Sequence, residues 1–175
     1  MKYEVIDNFL DYVDLHTIQN FMFKDMDWYY SGNVASNKDS QDNHYYFVHQ
    51  LFDCYQIDLP NSRFYPEVLS RFAKSFKRLN MEREMKALIR VKANLFPSTS
   101  KLVEHDFHID FPFKHKGALF SVNTCDGYTK LDDGTKIESI ENRLLLFDAS
   151  KNHASTTCTN THARVNMNFN YFLGV

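Results

Sequence analysis

RVNMNFNYF, residues 164–172, decides the fold class, because it alternates more regularly than any other stretch of the sequence. Side chains two apart on an extended chain point to the same face, so this stretch predicts a β-strand with one apolar and one polar face. The apolar face carries Val165, Met167, Phe169 and Tyr171, and the polar face carries Arg164, Asn166, Asn168 and Asn170. A face exposed to water would more often carry Lys, Glu and Thr than three asparagines. We therefore predict that the polar face lines a polar cavity.

Shorter candidate strands precede this one in the C-terminal half. Residues 89–95 alternate in the same way, with Arg90 and Lys92 on their polar side. The other candidates, separated by turn signals such as Asp126-Gly127 and Asp133-Gly134, cover 102–108, 118–123, 135–140, 143–147 and 153–159. Many short strands at this spacing are typical of an antiparallel sandwich or jelly roll. The sequence therefore predicts a mainly β fold.

The N-terminal half mixes helices with short strands. Apolar residues recur at intervals of three and four from residue 5 to residue 24, which predicts one or two amphipathic helices. A further helix is predicted from Pro66 to Leu79, since proline suits the first turn of a helix. Short strands are expected at 28–30 and 45–51, on either side of a loop rich in Ser, Asn and Asp at 30–43. These helices should pack against the jelly roll.

The composition excludes several classes of protein. With 43% hydrophobic and 24% charged residues, the chain has enough apolar material for a packed core. A formal net charge of -2 argues against the broad basic surface of a general nucleic-acid-binding protein, so no such binding is expected. No stretch approaches the roughly 20 apolar residues of a membrane span, so no membrane partner is expected. Three cysteines without C-x-x-C spacing, and an acidic N-terminal segment, favour a cytoplasmic protein.

A histidine and an aspartate two residues apart, His108 and Asp110, are the first candidates for chemistry. On a strand both would project to the same side and could bind one metal ion. A single H-x-D pair arises easily by chance, so a structural role is the alternative. A non-haem Fe(II) site needs a second histidine and open coordination positions. His153 is the best candidate, since it follows an apolar strand and a turn, although a surface turn histidine would occur in the same place.

Arg164 stands eleven residues after His153, at the start of the last strand. Its planar guanidinium can donate two parallel hydrogen bonds, which suits a carboxylate. The alternative is a structural ion pair with an acidic residue. Asn168, on the same strand face, is a second candidate contact for a ligand carboxylate, and Arg90 or Lys92 could take the place of Arg164.

The run from His108 to Phe172 resembles the catalytic core of the Fe(II)- and 2-oxoglutarate-dependent oxygenases, in particular the prolyl-4-hydroxylase-like branch of bacteria and phages. The likeness lies in the ordered set of His108, Asp110, His153 and Arg164, with an N-R-x-x-x-F-D run before the second histidine. The resemblance implies a double-stranded β-helix, a jelly roll packed against two or three helices. We expect one oxygenase domain over 1–175, with a helical and strand annex at 1–85 and the core at 86–175.

The resemblance also implies roles and an activity. His108, Asp110 and His153 would bind Fe(II), and Arg164 would bind the distal carboxylate of 2-oxoglutarate, with Asn168 as the second contact. With dioxygen, such an enzyme hydroxylates an unactivated C–H bond and produces succinate and CO2. Peptidyl proline is suggested by the branch resembled, while a free amino acid, another protein side chain or a nucleobase is not excluded by the sequence. The alternative from another class is a non-catalytic, cupin-like jelly-roll module that binds a metal or another ligand.

Two features depart from the family pattern. Many relatives carry a tyrosine on the strand after H-x-D, where this sequence has Ser121, so that contact to the cosubstrate is missing or comes from elsewhere. His105, Asp106 and His115 crowd the same segment as His108. We choose His108 as the ligand because neither of the other two histidines has a carboxylate two residues later.

The loop at 30–43 joins two aromatic segments and contains no proline. Such a loop can order over a ligand while its aromatic ends supply contact area. We expect it to lie beside the open coordination face as a lid, with Tyr29, Tyr30, Tyr45 or Tyr46 reaching the substrate. A variable surface loop anchored by core aromatics is the alternative.

Overall fold

The computed structural model describes residues 3–34, 45–56, 61–80 and 85–173. Within these ranges the chain forms ten strands and two α-helices, the first of which runs on into a π-helical segment. In chain order the elements are β1 (Tyr3–Ile6), α1 (Tyr12–Asn20) with the π-helical segment Phe21–Asp25, β2 (Tyr29–Ser31), β3 (Tyr46–Asp53), α2 (Tyr65–Arg78), β4 (Met85–Pro97), β5 (Lys116–Ser121), β6 (Tyr128–Leu131), β7 (Lys136–Glu138), β8 (Arg143–Phe147), β9 (His153–Ser155) and β10 (Ala163–Leu173). Neither helix in the described ranges has the length and hydrophobicity that crossing a bilayer would require.

The strands form two antiparallel sheets. Among the described residues, the larger sheet has the order β1-β8-β5-β10-β4-β3-β2 and the smaller has the order β7-β6-β9. β10 lies in the middle of the larger sheet, where it pairs with β4 on one side and β5 on the other. Side chains of the two sheets meet, since the Arg164 guanidinium on β10 donates to the Thr129 hydroxyl on β6. The prediction of a mainly β jelly roll is confirmed.

The apolar face of β10 packs against the helical layer. α2 carries Pro66 in its first turn and buries Val68, Phe72 and Phe76 at four-residue spacing, as the sequence predicted. The Phe72 ring centroid lies 4.5 Å from that of Phe169 on β10. The helix therefore covers one face of the strand, and the other face points toward the smaller sheet.

The first described residues do not follow the prediction of helix from residue 5 onward. Residues 3–6 form β1, which pairs with β8, and α1 begins only at Tyr12. Asp11 caps this helix by accepting a hydrogen bond from the Asp14 N–H at 2.9 Å. Val5 fits a helical spacing in the sequence, but the outer edge of β8 offers its backbone a partner strand. β1, β2 and β3 therefore share the larger sheet with strands of the C-terminal half.

Two strands of the C-terminal half also differ from the expectation. Residues 102–108 do not form a continuous strand; Glu104 and His108 form isolated bridges, with Thr156 and His153 respectively. β6 was not predicted, because its four residues lie between two turn signals and are too few to show a clear alternation.

Candidate active site

The main chain holds His108 and His153 opposite each other. His153 is the first residue of β9, and His108 bridges to it, so that the N–H of each residue donates to the carbonyl of the other at 2.9 Å. The two imidazole centroids lie 4.5 Å apart. Backbone pairing therefore brings together two histidines that are far apart in the sequence.

Asp110 completes a cluster of three possible ligands. It lies in a bend and not on a strand, and its N–H donates to the Ala149 carbonyl at 3.3 Å. The expected strand face shared by His108 and Asp110 does not form, because the pairing stops at His108. The structure nevertheless brings one ligand atom each of His108, Asp110 and His153 within 4.8 Å of one another.

The backbone also selects which imidazole nitrogens face the cluster. Nδ1 of His153 donates to the Lys151 carbonyl at 3.0 Å, and Nδ1 of His108 donates to the Asp106 carbonyl at 3.3 Å. A carbonyl oxygen only accepts, so each neutral ring carries its proton on Nδ1 and presents the lone pair of Nε2. Burial, and then the proximity of His153, lowers the pKa of His108, which favours the neutral form of its ring.

Three donors hold the Asp110 carboxylate. Arg90 donates to Oδ1 at 3.1 Å, and the amides of Asn168 and Asn170 donate to Oδ2 at 3.0 and 2.8 Å. Burial alone would raise the pKa of Asp110, but the charges of His153 and Arg90 and the two amide hydrogen bonds hold that pKa well below its usual range. The sequence alone does not assign Arg90 and Asn170 to this carboxylate, although both stand on the polar faces of predicted strands.

The donor set fits a divalent first-row transition metal. Two neutral imidazoles and one carboxylate that leave several positions open form the usual ligand set of non-haem Fe(II) sites. Metal-binding histidines usually donate their second ring nitrogen to a carbonyl, as His108 and His153 do here. His105 and His115 lie outside the cluster, with their Nδ1 atoms 2.8 Å from the Ser155 hydroxyl and the Phe113 carbonyl respectively.

A small cavity between the two sheets opens beside the cluster. Its volume is about 50 Å³. Besides the cluster, its walls include Lys92 and Asn94 of β4, Thr129 of β6, and Asn166 and Asn168 of β10, so the polar face of β10 does line a polar cavity. A groove of about 670 Å³ between α2 and β4 is larger, but the described histidines and carboxylates form no cluster there.

Arg164 lies just behind the cavity wall. Its side chain is buried, and its guanidinium donates to the hydroxyls of Ser139 and Thr129 at 2.6 and 2.8 Å and to the Thr156 carbonyl at 3.2 Å. Burial lowers the pKa of Arg164 to about 10, because the charge is desolvated among neutral partners. Gly127 leaves room for this side chain, since a Cβ there would lie 2.8 Å from Arg164 Cδ. A buried cation beside a cavity is suited to bind a carboxylate.

Comparison with known proteins identifies the fold. No family model matches the sequence, and no curated protein sequence matches it. A 2OG-Fe(II) oxygenase family oxidoreductase from Burkholderia pseudomallei is similar in structure, with a TM-score of 0.72 and 14% identity over 97% of this chain and 84% of that chain. A prolyl hydroxylase from Trichoplax adhaerens, in complex with a hypoxia inducible factor peptide fragment, has a TM-score of 0.65 and 15% identity over 97% and 83% of the two chains. The viral collagen prolyl hydroxylase of Paramecium Bursaria Chlorella virus-1 has a TM-score of 0.62 and 12% identity over 100% and 97%.

The fold is that of the 2OG-Fe(II) oxygenases. The resemblance drawn from the ordered set of sequence motifs is confirmed for the fold. At these low identities the likeness concerns the fold, so the chemistry of the site must be argued from the residues that this chain places in it.

Asn168, a predicted cosubstrate contact, lines the cavity, whereas Ser121, at the position where many relatives have a tyrosine, does not. Asn168 lines the cavity, but its amide nitrogen is engaged by Asp110, so it holds a metal-ligand candidate in place. Ser121 is buried on β5 and is absent from the described residues that line the cavity. Thr129, which the sequence analysis did not single out, supplies a hydroxyl at the cavity wall and accepts a hydrogen bond from Arg164.

The lid predicted from the loop at 30–43 stays a prediction. Residues 35–43, which are most of this loop, lie outside the described residues, while Val34 within the loop and Tyr46 shortly after it line the cavity. Tyr30 and Tyr45 are exposed, and their rings stack with centroids 5.9 Å apart. Of the four tyrosines considered, Tyr46 is the one that reaches the cavity in the described part of the chain.

Proposed function

We propose that this protein is a non-haem Fe(II)- and 2-oxoglutarate-dependent dioxygenase that hydroxylates an unactivated C–H bond. The observation that carries the proposal is the cluster of His108, Asp110 and His153, whose ligand atoms lie within 4.8 Å of one another beside a cavity. The fold supports it, since HygX from Streptomyces hygroscopicus, with a TM-score of 0.64 to this chain, was solved with nickel and 2-oxoglutarate bound.

His108, Asp110 and His153 would hold Fe(II). When bound, the iron would supply the oxidation chemistry by which dioxygen, 2-oxoglutarate and the substrate give succinate, CO2 and the hydroxylated substrate. The chain contributes the geometry. Hydrogen bonds from Nδ1 fix the orientation of both imidazoles. Arg90, Asn168 and Asn170 prevent the Asp110 carboxylate from rotating away. The ligands are therefore oriented before any metal arrives.

Arg164 binds the distal carboxylate of 2-oxoglutarate. The guanidinium is buried among neutral partners, so an incoming carboxylate compensates a charge that burial disfavours. Thr129 stands between this guanidinium and the cavity, and its hydroxyl supplies a second hydrogen bond to the same carboxylate. Thr129 thus replaces the tyrosine that many relatives carry at the position of Ser121.

Peptidyl proline is the first substrate to test. Several of the similar structures are prolyl hydroxylases, one of them in complex with a peptide fragment. Another, HygX, was solved with hygromycin B. The fold is therefore compatible with peptides and with other substrates, and the side chains around the cavity must decide between them.

The proposal is tested by adding Fe(II) and 2-oxoglutarate under anaerobic conditions and then admitting oxygen. The parent protein should develop a metal-to-ligand absorption band and then form succinate. His108→Ala should lose both signals and keep the unfolding transition of the parent, because this half-buried side chain packs little core. His162→Ala, at an exposed histidine, is the matched control. A parent protein without band or succinate would contradict the proposal and favour the non-catalytic ligand-binding module.

A further inference from the structure

The cavity wall carries a second cation, Lys92, in addition to the buried Arg164 behind it. Lys92 lies on β4, opposite Gln50 of β3 and Asn168 of β10. Its side chain runs toward Tyr46, with Nζ 3.3 Å from the tyrosine hydroxyl and 5.5 Å from the ring centroid. Lys92 therefore presents its ammonium group where the cavity borders the N-terminal half of the chain.

Two aromatic rings separate this ammonium from the Arg164 guanidinium. Arg164 Cζ lies 5.7 Å from the Phe96 centroid, and the Phe96 ring stacks on Tyr46 with centroids 5.3 Å apart. Lys92 contacts the Tyr46 ring, and Arg164 contacts the Phe96 ring. Lys92 on β4 pairs with Asn168 of β10, and Asn168 is four residues after Arg164 on that strand. The backbone positions of the two cations are therefore about 13 Å apart along the strand direction. They therefore serve different anionic groups.

Lys92 has no carboxylate partner among the described residues. Its described hydrogen bond goes to the neutral Tyr46 hydroxyl, which leaves further N–H donors of the ammonium group for a ligand. The carboxylate on the same wall, Asp110, is paired instead with Arg90 and two asparagine amides. Lys92 lines the same cavity as the metal-ligand candidates His108 and Asp110.

We propose that Lys92 and Tyr46 form a second carboxylate-binding subsite in this cavity, distinct from Arg164. Lys92 donates charge-assisted hydrogen bonds to the carboxylate, and Tyr46 donates its hydroxyl proton while accepting from Lys92. The inference rests on the proposed function, because two molecules that enter the cavity can bring such a group. One is the primary substrate, as a free amino acid, and the other is 2-oxoglutarate through its proximal carboxylate. The chemistry recognised is the same, and the sources are separated by experiment.

The first experiment needs neither metal nor turnover. Protein labelled with ¹³C at the lysine ε carbon is titrated with acetate at constant ionic strength, with acetamide as the neutral probe. The Lys92 signal, assigned by its loss in Lys92→Met, should shift in a saturable manner with acetate and not with acetamide. Tyr46→Phe should weaken acetate binding at this signal about threefold or more, because one of the two donors is lost.

Lys136 offers a matched control for the lysine substitution. Its Nζ lies 4.3 Å from the Tyr128 centroid, so it repeats the lysine and tyrosine pair, but it is exposed and stands outside the cavity. Lys136→Met should therefore leave every ligand titration unchanged. Lys92→Arg, which keeps the charge, should bind the carboxylate ligand of the second experiment more tightly than Lys92→Met, and this separates the loss of charge from a loss of folding.

The second experiment identifies the source of the carboxylate in nickel-loaded protein. If 2-oxoglutarate binds about tenfold or more weakly to Lys92→Met than to the parent, by calorimetry, the subsite takes the cosubstrate. If 2-oxoglutarate binds equally to both, the twenty free L-amino acids and their amides are compared by saturation-transfer NMR in the presence of 2-oxoglutarate. Binding of an amino acid to the parent, lost in its amide and in Lys92→Met, assigns the subsite to the substrate.

The subsite is overturned if acetate leaves the Lys92 signal unshifted, or if Lys92→Met matches the parent in both the 2-oxoglutarate and the amino-acid titrations. Failure of the proposed function gives a different result. The parent would then fail to bind nickel or 2-oxoglutarate, while the acetate titration, which uses metal-free protein, would still report on Lys92.

Discussion

The two faces of β10 are buried to a similar degree but are made of opposite chemistry. Val165, Met167 and Phe169 pack into the main core, where removal of apolar surface from water stabilises the fold. On the other face, Asn168 and Asn170 are equally buried but use their amides to hold Asp110. One strand thus provides stability from one face and a binding site from the other, so substitutions on the two faces should separate these properties.

The largest effect is expected on the apolar face, from Phe169→Ala. The Phe169 side chain is 1% exposed, and its ring packs on Phe72 of α2. Its truncation should lower the free energy of unfolding by about 3–5 kcal/mol, through lost burial and the cavity left behind. Urea unfolding measures this change, and nickel affinity of the folded protein should stay within about twofold of the parent. A loss of nickel affinity matching the loss of stability would show that the two faces are not separable.

The converse substitution is Asn170→Ala on the polar face. It removes one of the two amide donors to Asp110 Oδ2, so the carboxylate is less well oriented. Nickel affinity, measured by calorimetry, should fall about 10–100-fold, while the unfolding free energy should change less than in Phe169→Ala. Asn166→Ala is the control, because the Asn166 side chain pairs with Asn94 and not with Asp110. Equal losses in both variants would mean that any asparagine of this face supports the site.

At the head of the same polar face, Arg164→Lys tests the cosubstrate contact. The substitution keeps the positive charge but loses the planar fork that bonds Ser139, Thr129 and the Thr156 carbonyl. Affinity for 2-oxoglutarate in nickel-loaded protein should fall about tenfold, with nickel affinity unchanged. Arg143→Lys, at the ion pair with Asp7, should leave both affinities as in the parent. If Arg164→Lys binds 2-oxoglutarate as the parent does, another cation holds the distal carboxylate.

The smallest effect concerns a polar contact at the surface, Asp11 with Lys74. The Lys74 hydrogen bond, followed by the Asp14 N–H, lowers the pKa of Asp11 to about 2. Ionised Asp11 therefore contributes stability that is fully present above the unfolded pKa near 3.8 and is lost as the pH falls through about 2. Lys74→Met should raise the pKa of Asp11 toward 3.8, as followed by NMR of its carboxyl carbon. An unchanged titration would assign the lowered pKa to the helix cap alone.

The sequence predicted β10 and its two faces well, because the eight residues from Arg164 to Tyr171 alternate strictly between polar and apolar side chains. It placed α2 to within one residue at each end, since Pro66 and the four-residue apolar spacing act locally. β1 could not be predicted, because its partner β8 lies far along the chain and local spacing favoured a helix. Short strands that depend on distant partners leave little trace in their own residues.

For the candidate site, the sequence supplied His108, Asp110 and His153 as an ordered set, and the structure brings them together. The sequence could not predict which residues hold these metal-ligand candidates in place. Arg90 stands on β4 and Asn170 on β10, whereas Asp110 lies in a bend, and nothing in the sequence around Arg90 or Asn170 shows that a carboxylate will be folded against them. Contacts of this kind depend on how a bend is positioned over a sheet, which is a property of the tertiary structure.

Two reciprocal backbone hydrogen bonds hold the segments that carry His108 and His153 together, and these segments separate only when the bonds break. Each amide hydrogen is held by the carbonyl of the other residue at 2.9 Å, so each exchanges with solvent only when its own hydrogen bond across the bridge opens. The rate of amide exchange at these two positions would therefore report the frequency with which the chain lets its two histidines separate. A closed bridge also means that the conformational entropy of bringing the rings together is lost during folding, and ligand capture does not have to overcome it.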